Sequence, residues 1–132
     1  MGTTEGIVAV AFRCADRFGD YGVVGYATLD ERDATPVIRG LVISCWVAQK
    51  RVEHAFLAWL CHRCATRGAR AVEAALFLGG RNALMTRALH KGGWTIAAMA
   101  GKHVTMRRVL PSIAALSQAL EDEPLTLRAD AL

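Results

Sequence analysis

One stretch constrains the fold of this chain more than any other: a predicted strand that runs through a basic turn into a predicted helix. The segment covers residues 41–60 and reads LVISCWVAQKRVEHAFLAWL. Its apolar start indicates a buried strand, and the apolar residues at helical spacing after the turn indicate an amphipathic helix. A helix that begins in this way directs its free N–H groups and the positive end of its dipole at the turn. The turn, which contains Gln49, Lys50 and Arg51, is therefore a candidate site for a phosphate-bearing ligand.

The composition is that of one folded domain. Of the 132 residues, 53% are hydrophobic and only 3 are proline, so the chain can bury a core of its own. No apolar run approaches the roughly 20 residues of a membrane span, and the N-terminus lacks the features of a signal peptide, so we expect a cytoplasmic protein. The net charge of +4 comes from scattered basic residues. This pattern favours a phosphate-bearing small ligand or an acidic protein partner over a nucleic acid.

The hydrophobic pattern predicts nine elements in the order β-β-β-α-β-α-β-β-α. They cover residues 7–12, 22–29, 36–45, 50–66, 71–78, 82–90, 94–99, 104–110 and 112–120. An antiparallel meander followed by a β-α-β crossover makes a mixed sheet, so the predicted class is α/β, or α+β with a mixed sheet. We predict one domain over residues 1–120 and a polar C-terminal tail over residues 121–132.

Four cysteines are present, and two of them, Cys61 and Cys64, form a C-x-x-C motif late in the first predicted helix. The motif lacks the further ligands that a four-coordinate zinc site requires. It also lies far from the helix N-terminus, where a thiol pKa would be lowered. We therefore predict that both cysteines are small core residues and that no metal is bound, with a redox or metal role as the alternative.

The order of elements, with a strand, turn and helix at its centre, resembles the acyl-CoA-dependent N-acetyltransferase (GNAT) fold. More specifically, DRFGDYGVVGYATLD followed by the segment over residues 41–60 is similar to the C-terminal GNAT-like domain of FkbH-like proteins, which help to build unusual polyketide units. The similarity extends from Phe12 to about Trp94. It implies an acyltransferase-like domain of secondary metabolism that binds a coenzyme A or carrier-protein phosphopantetheine thioester.

The resemblance also implies a cofactor site, because in GNAT proteins the turn after the central strand holds the pyrophosphate of coenzyme A on backbone amides. The implied cofactor-binding residues are Val47, Ala48, Gln49, Lys50 and Arg51, together with Asn82 near the pantetheine arm. Two of these positions, Gln49 and Arg51, depart from the glycines of FkbH-like proteins, and Trp46 stands where those proteins have arginine. Glycine lets backbone approach phosphate closely, whereas a guanidinium can contact it directly. Asn82 can equally be a helix N-cap.

An acyl transfer needs a base for the acceptor or a nucleophile for the acyl group. The candidate base is Glu53 in the first helical turn, where the helix dipole alone also favours a glutamate. The candidate nucleophile is Cys45 at the end of the central strand, with an inert buried cysteine as the alternative.

Two functions therefore stay open. The first is an acyltransferase that uses coenzyme A or a carrier protein, and the second is a non-catalytic module that docks a carrier protein or a partner subunit. The first strand and helices of a full GNAT fold, and the phosphatase-like half of FkbH-like proteins, have no counterpart in the sequence. We expect the sheet edge that those elements would cover to be exposed, which favours a homodimer.

Overall fold

A computed structural model of the chain describes residues 3–4, 6–43, 51–77 and 83–131. The helices are α1 (Val52–Thr66), α2 (Ala83–Lys91) and α3 (Ile113–Asp122). The strands are β1 (Thr3–Thr4), β2 (Ile7–Asp16), β3 (Gly19–Asp30), β4 (Val37–Ile43), β5 (Ala71–Phe77), β6 (Thr95–Ala100), β7 (His103–Val109) and β8 (Thr126–Ala131). Among the described helices, none has the length and apolarity that crossing a membrane requires.

The strands form one mixed sheet, which confirms the predicted fold class. Its order is β1-β2-β3-β4-β5-β7-β6, and β8 also pairs with β2. The pairing of β4 with β5 is parallel and the other pairings are antiparallel. The crossover through α1 produces the parallel pair, as the order of elements in the sequence predicts.

The two parallel strands stay together for only a short distance. Their register consists of Val37 with Glu73 and Ile38 with Ala74, although β4 continues to Ile43 and β5 to Phe77. Beyond these two pairs each strand bonds only to its outer neighbour, β4 to β3 and β5 to β7. An inter-strand gap, between residues 39–43 and residues 75–77, therefore opens toward the carboxyl ends of both strands.

Within the described part of the chain, the helices cover one face of the sheet. Helix α1 contacts both α2 and α3, and its Phe56 ring lies 4.9 Å from the ring of Phe12 on β2. Along β7 the side chains alternate, so that Val104 and Met106 are buried in the core while His103 is exposed. The sheet thus has a helix face, which carries the core, and an open face.

The C-terminal segment differs from the predicted polar tail. It completes α3 and then forms β8, which pairs with β2 from Val10 opposite Ala131 to Ala15 opposite Thr126. The physical reason is a period-two pattern, because Leu125 is buried and Leu127 and Ala129 pack against the core, whereas the residues between them are exposed. Strand β8 covers the edge of β2 on which the expectation of a homodimer rested, so the open edge is not found there.

The burial of Leu125, directly before β8, predicts that this side chain contributes to stability. We expect Leu125→Ala to lower the free energy of unfolding by about 2–5 kcal/mol, because truncating a buried leucine removes contacts and leaves a cavity. The exposed neighbour supplies a control, Thr126→Ala, with an expected change below about 1 kcal/mol. Urea denaturation followed by tryptophan fluorescence measures both. Small and equal changes would mean that the segment is a frayed tail after all.

Candidate functional site

The predicted anion site lies at the start of α1, and the structure describes the last residue of its turn. Arg51 is the helix N-cap and has a left-handed backbone, with φ 67° and ψ 26°. No other non-glycine residue of the described ranges has a positive φ. This conformation suits glycine, because a side chain with a Cβ atom is strained in it. Arg51 makes no side-chain cap, so it leaves the first N–H groups of α1 to other partners.

The side chain of Arg51 is held by the C-terminal part of the chain. Its guanidinium donates to the carboxylate of Glu123, at 3.1 Å from Nη2 to Oε1 and 3.4 Å from Nε to Oε2. Glu123 directly follows α3 and its side chain is 14% exposed, against 52% for Arg51. A carboxylate therefore already neutralises the cation beside the N-terminus of α1.

The candidate base, Glu53, is buried in the first turn of α1 with 5% of its surface exposed. This is where the helix dipole favours a carboxylate, so the position fits both the proposed role and the structural one. His54 follows it, and the Nδ1 atom of His54 is buried without a hydrogen-bond partner among the described residues. The first turn of α1 thus holds an acid side chain and an imidazole beside Arg51.

The remaining predicted site residues lie outside the described residues. These are the candidate nucleophile Cys45 and the cofactor-binding candidates Val47, Ala48, Gln49, Lys50 and Asn82. Residues 44–50 connect the end of β4 to α1, and residues 78–82 connect the end of β5 to α2. Both connections therefore begin at the strand ends where the inter-strand gap opens.

A groove on the open face was missed by the sequence analysis. It has a volume of about 470 Å³ and extends from Arg39 on β4 across Ala75 and Phe77 on β5 to His103 and Thr105 on β7. Register brings these residues onto one face, because Ala75 pairs with Thr105 and Phe77 pairs with His103. Alternation along β5 and β7 was the available signal, but the sequence-based prediction assigned no face to either strand.

The cysteines of the C-x-x-C motif are core residues. Cys61 and Cys64 are 0% and 1% exposed. Burial raises the pKa of Cys61, although Arg108 Nη1 lies 3.4 Å from its sulfur, and raises the pKa of Cys64 to about 12. Burial also raises the pKa of Cys14 to about 11. These thiols stay protonated at neutral pH, which removes the thiolate that a redox role requires.

No protein-family model matches the sequence, and a search of curated proteins gives no match. Among solved structures, 66 chains match. A domain from Methanocaldococcus jannaschii superposes with a TM-score of 0.68 at 13% identity, over 82% of this chain and 70% of that chain. The PaiA N-acetyltransferase from Thermoplasma acidophilum, in complex with coenzyme A, gives a TM-score of 0.60 at 13% identity, over 75% of this chain and 61% of that chain. An acetyltransferase of the GNAT family from Staphylococcus aureus gives 0.59 at 9% identity, over 77% and 68%.

The fold is that of the GNAT acyl-CoA N-acyltransferases, as the order of elements predicted. At identities this low the likeness establishes the fold, and the chemistry has to be argued from the site. The narrower similarity to FkbH-like proteins stays a prediction.

The left-handed N-cap predicts an unusual order of stability for two variants. Arg51→Gly and Arg51→Ala both remove the guanidinium, so they differ only in backbone preference. We expect the glycine variant to be the more stable by about 0.5–1 kcal/mol, since relief of left-handed strain outweighs the greater unfolded-state entropy of glycine. Thermal and urea unfolding of the two proteins measures the difference. An alanine variant at least as stable as the glycine variant contradicts the left-handed N-cap.

The burial of the thiols predicts their reactivity. With N-ethylmaleimide at neutral pH, we expect Cys14, Cys61 and Cys64 to stay unmodified in the native protein and to react fully in urea. Peptide mass mapping assigns each modification and separates these three from Cys45. Rapid native modification of Cys61 or Cys64 would restore the redox interpretation of the motif.

Proposed function

We propose that the protein binds an acyl thioester of coenzyme A, or of a carrier protein's phosphopantetheine, in the inter-strand gap and transfers the acyl group to an amine. The observation that carries the proposal is the separation of β4 from β5 after two residue pairs, with α1 following β4 in the chain. Ligands of open α/β sheets bind outside the carboxyl ends of the strands, where this gap opens. The neighbour that contains coenzyme A has the same fold.

The peptide groups that face the gap match the amide groups of the pantetheine arm. Residues 40–43 pair only with β3 and residues 75–77 pair only with β7, so the peptide groups that face the gap need another partner. The pantetheine arm is an extended chain with two amide groups, and it can supply donors and acceptors to both strands. Lying along the gap, it would bring the thioester carbonyl between the two strands.

The pyrophosphate would then lie at the start of α1. Free N–H groups of the first turn and the dipole of a 15-residue helix favour an anion there. In this proposal the backbone of Val47, Ala48 and Gln49 and the side chains of Lys50 and Arg51 bind the phosphates. Asn82, ahead of α2, contacts the pantetheine arm.

The transfer forms a bond from the amine nitrogen of the acceptor to the acyl carbon and breaks the carbon–sulfur bond of the thioester. One proton leaves the amine, and one proton reaches the departing thiolate. We assign the proton transfer to Glu53, because it is the carboxyl group in the first turn of α1. In the covalent variant of the mechanism, the thiolate of Cys45 first accepts the acyl group.

Calorimetric titration of acetyl-coenzyme A tests the proposal. We expect wild-type protein to bind and Arg51→Ala to bind at least about tenfold more weakly, because a hydrogen bond to a charged group contributes about 1.5–3 kcal/mol. Glu123→Gln should bind severalfold more tightly, since it removes the carboxylate that competes for Arg51. Arg128→Ala is the control, because Arg128 is 81% exposed and its loss changes the net charge equally.

Absence of binding to the wild-type protein, or equal weakening by Arg51→Ala and Arg128→Ala, would overturn the proposed site for coenzyme A. Circular dichroism of each variant shows whether a loss of affinity reflects a loss of fold.

A carrier protein is the second candidate donor, and the similarity to FkbH-like proteins of polyketide metabolism favours it. The net charge of +4 suits an acidic partner. Binding of a carrier protein only in its phosphopantetheinylated form supports thioester binding. Equal binding of the apo form supports instead the non-catalytic docking module.

A further inference from the structure

We infer that the groove on the open face binds the acceptor amine through a carboxylate on that acceptor, with Arg39 as the carboxylate ligand. The acceptor is then an amine with a carboxylate and an apolar side chain, of the size and chemistry of an apolar amino acid. The transfer step of this inference rests on the proposed function, whereas binding of the acceptor to the groove can be tested without it.

The first observation is the position of Arg39. In the pairing of β3 with β4, Thr28 is opposite Gly40 and Leu29 is opposite Ile38, so Arg39 is an extra residue without a partner in β3. Such a β-bulge turns one side chain away from the regular alternation, and bulges are common next to active sites. Here the bulge lies one residue beyond the last parallel pair of β4 with β5, and Arg39 lines the groove.

The second observation is that Arg39 shares its carboxylate partner with a second guanidinium. One carboxylate, that of Asp30, serves two guanidinium groups: Arg32 donates to it at 2.7 and 2.9 Å, and Arg39 donates from Nε at 3.4 Å. The hydrogen bonds from Arg32 hold the pKa of the Asp30 carboxyl well below its usual range, so Asp30 is ionised but shared. No hydrogen bond between described residues uses the two Nη groups of Arg39, whose side chain is 57% exposed.

The third observation is the lining of the groove. Arg39 is its only side chain with a permanent charge, and no carboxylate lines it among the described residues. The nearest acid on the same face of β5 is Glu73, which pairs with Arg107 at 3.9 Å. A polyamine would need carboxylates for its several charges. This lining instead favours an acceptor that presents a carboxylate to Arg39.

One side of the groove is apolar, which suits the apolar part of the acceptor. Phe77 is 50% exposed and lines the groove together with Ala75 and Ala98. The His103 ring meets the Phe77 ring edge-on at 5.1 Å and thereby fixes its orientation. A volume of about 470 Å³ accommodates a molecule the size of an amino acid and its hydration water. With the carboxylate on Arg39, the amine of such a molecule can approach the inter-strand gap.

The test uses binding in the absence of coenzyme A, so that it does not depend on the proposed donor site. L-Phenylalanine and L-phenylalaninamide serve as matched probes, since they share the amine and the ring and differ in the carboxylate. Backbone amide shifts in ¹H–¹⁵N spectra report where each probe binds. We expect saturable shifts at residues 75–77 and 103–105, and at least about fivefold tighter binding of the carboxylate, because only that probe can make a charge-assisted hydrogen bond to Arg39.

Variants at position 39 separate recognition from general effects. We expect Arg39→Gln to remove the preference for the carboxylate, Arg39→Lys to keep part of it, and the distant surface variant Arg128→Gln to leave it unchanged. Equal affinity for both probes in the wild-type protein, shifts outside the groove, or a preference that survives Arg39→Gln would overturn the inference. Groove binding without acetyl-coenzyme A binding would contradict the proposed function alone, and the reverse result would contradict the acceptor site alone.

Discussion

The arrangement of this protein depends on one constraint, the early separation of β4 from β5. Two residue pairs hold the parallel strands together. Beyond them, each strand pairs only on its outer side, with Arg39 as a bulge in β4, and leaves peptide groups facing the gap. Because the strands are parallel, both carboxyl ends point the same way, and α1 and α2 are the elements that follow these two strands in the chain.

The sequence predicts the centre of this arrangement well because its signals there are local. Apolar runs define β4 and β5, and the helix between them ends at Thr66, two residues before Gly68, which has φ 91°. Strand β8 could not be predicted in this way, because its alternation is short and its partner, β2, lies more than a hundred residues earlier in the chain. Only the pairing with β2 distinguishes Thr126–Ala131 from a polar tail.

The same distinction between local and distant interactions applies to the site. The position of Arg51 at the start of a helix follows from the sequence, but its partner Glu123 is 72 residues away and lies in the segment taken for a tail. The groove residue Arg39 depends on a bulge, which inserts a single residue and leaves no mark in the hydrophobic pattern. His103 was visible as one of four histidines, and only the register of β5 with β7 places it beside Phe77.

Arg51 and Arg39 differ in how carboxylates neutralise their charges, and the difference suits two different ligands. Arg51 has one carboxylate, Glu123, to itself, in a pair whose guanidinium is half exposed. Exchanging that partner for a phosphate sacrifices an interaction of about 0–1 kcal/mol and gains a multiply charged acceptor. Arg39 shares Asp30 with Arg32, and the geometry of Asp30 favours Arg32, whose closest contact is 2.7 Å against 3.4 Å. Arg39 therefore needs no exchange, because a carboxylate can bind its exposed Nη groups while Asp30 stays in place. The charges alone thus favour a strongly anionic donor at α1 and a singly charged acceptor on the open face.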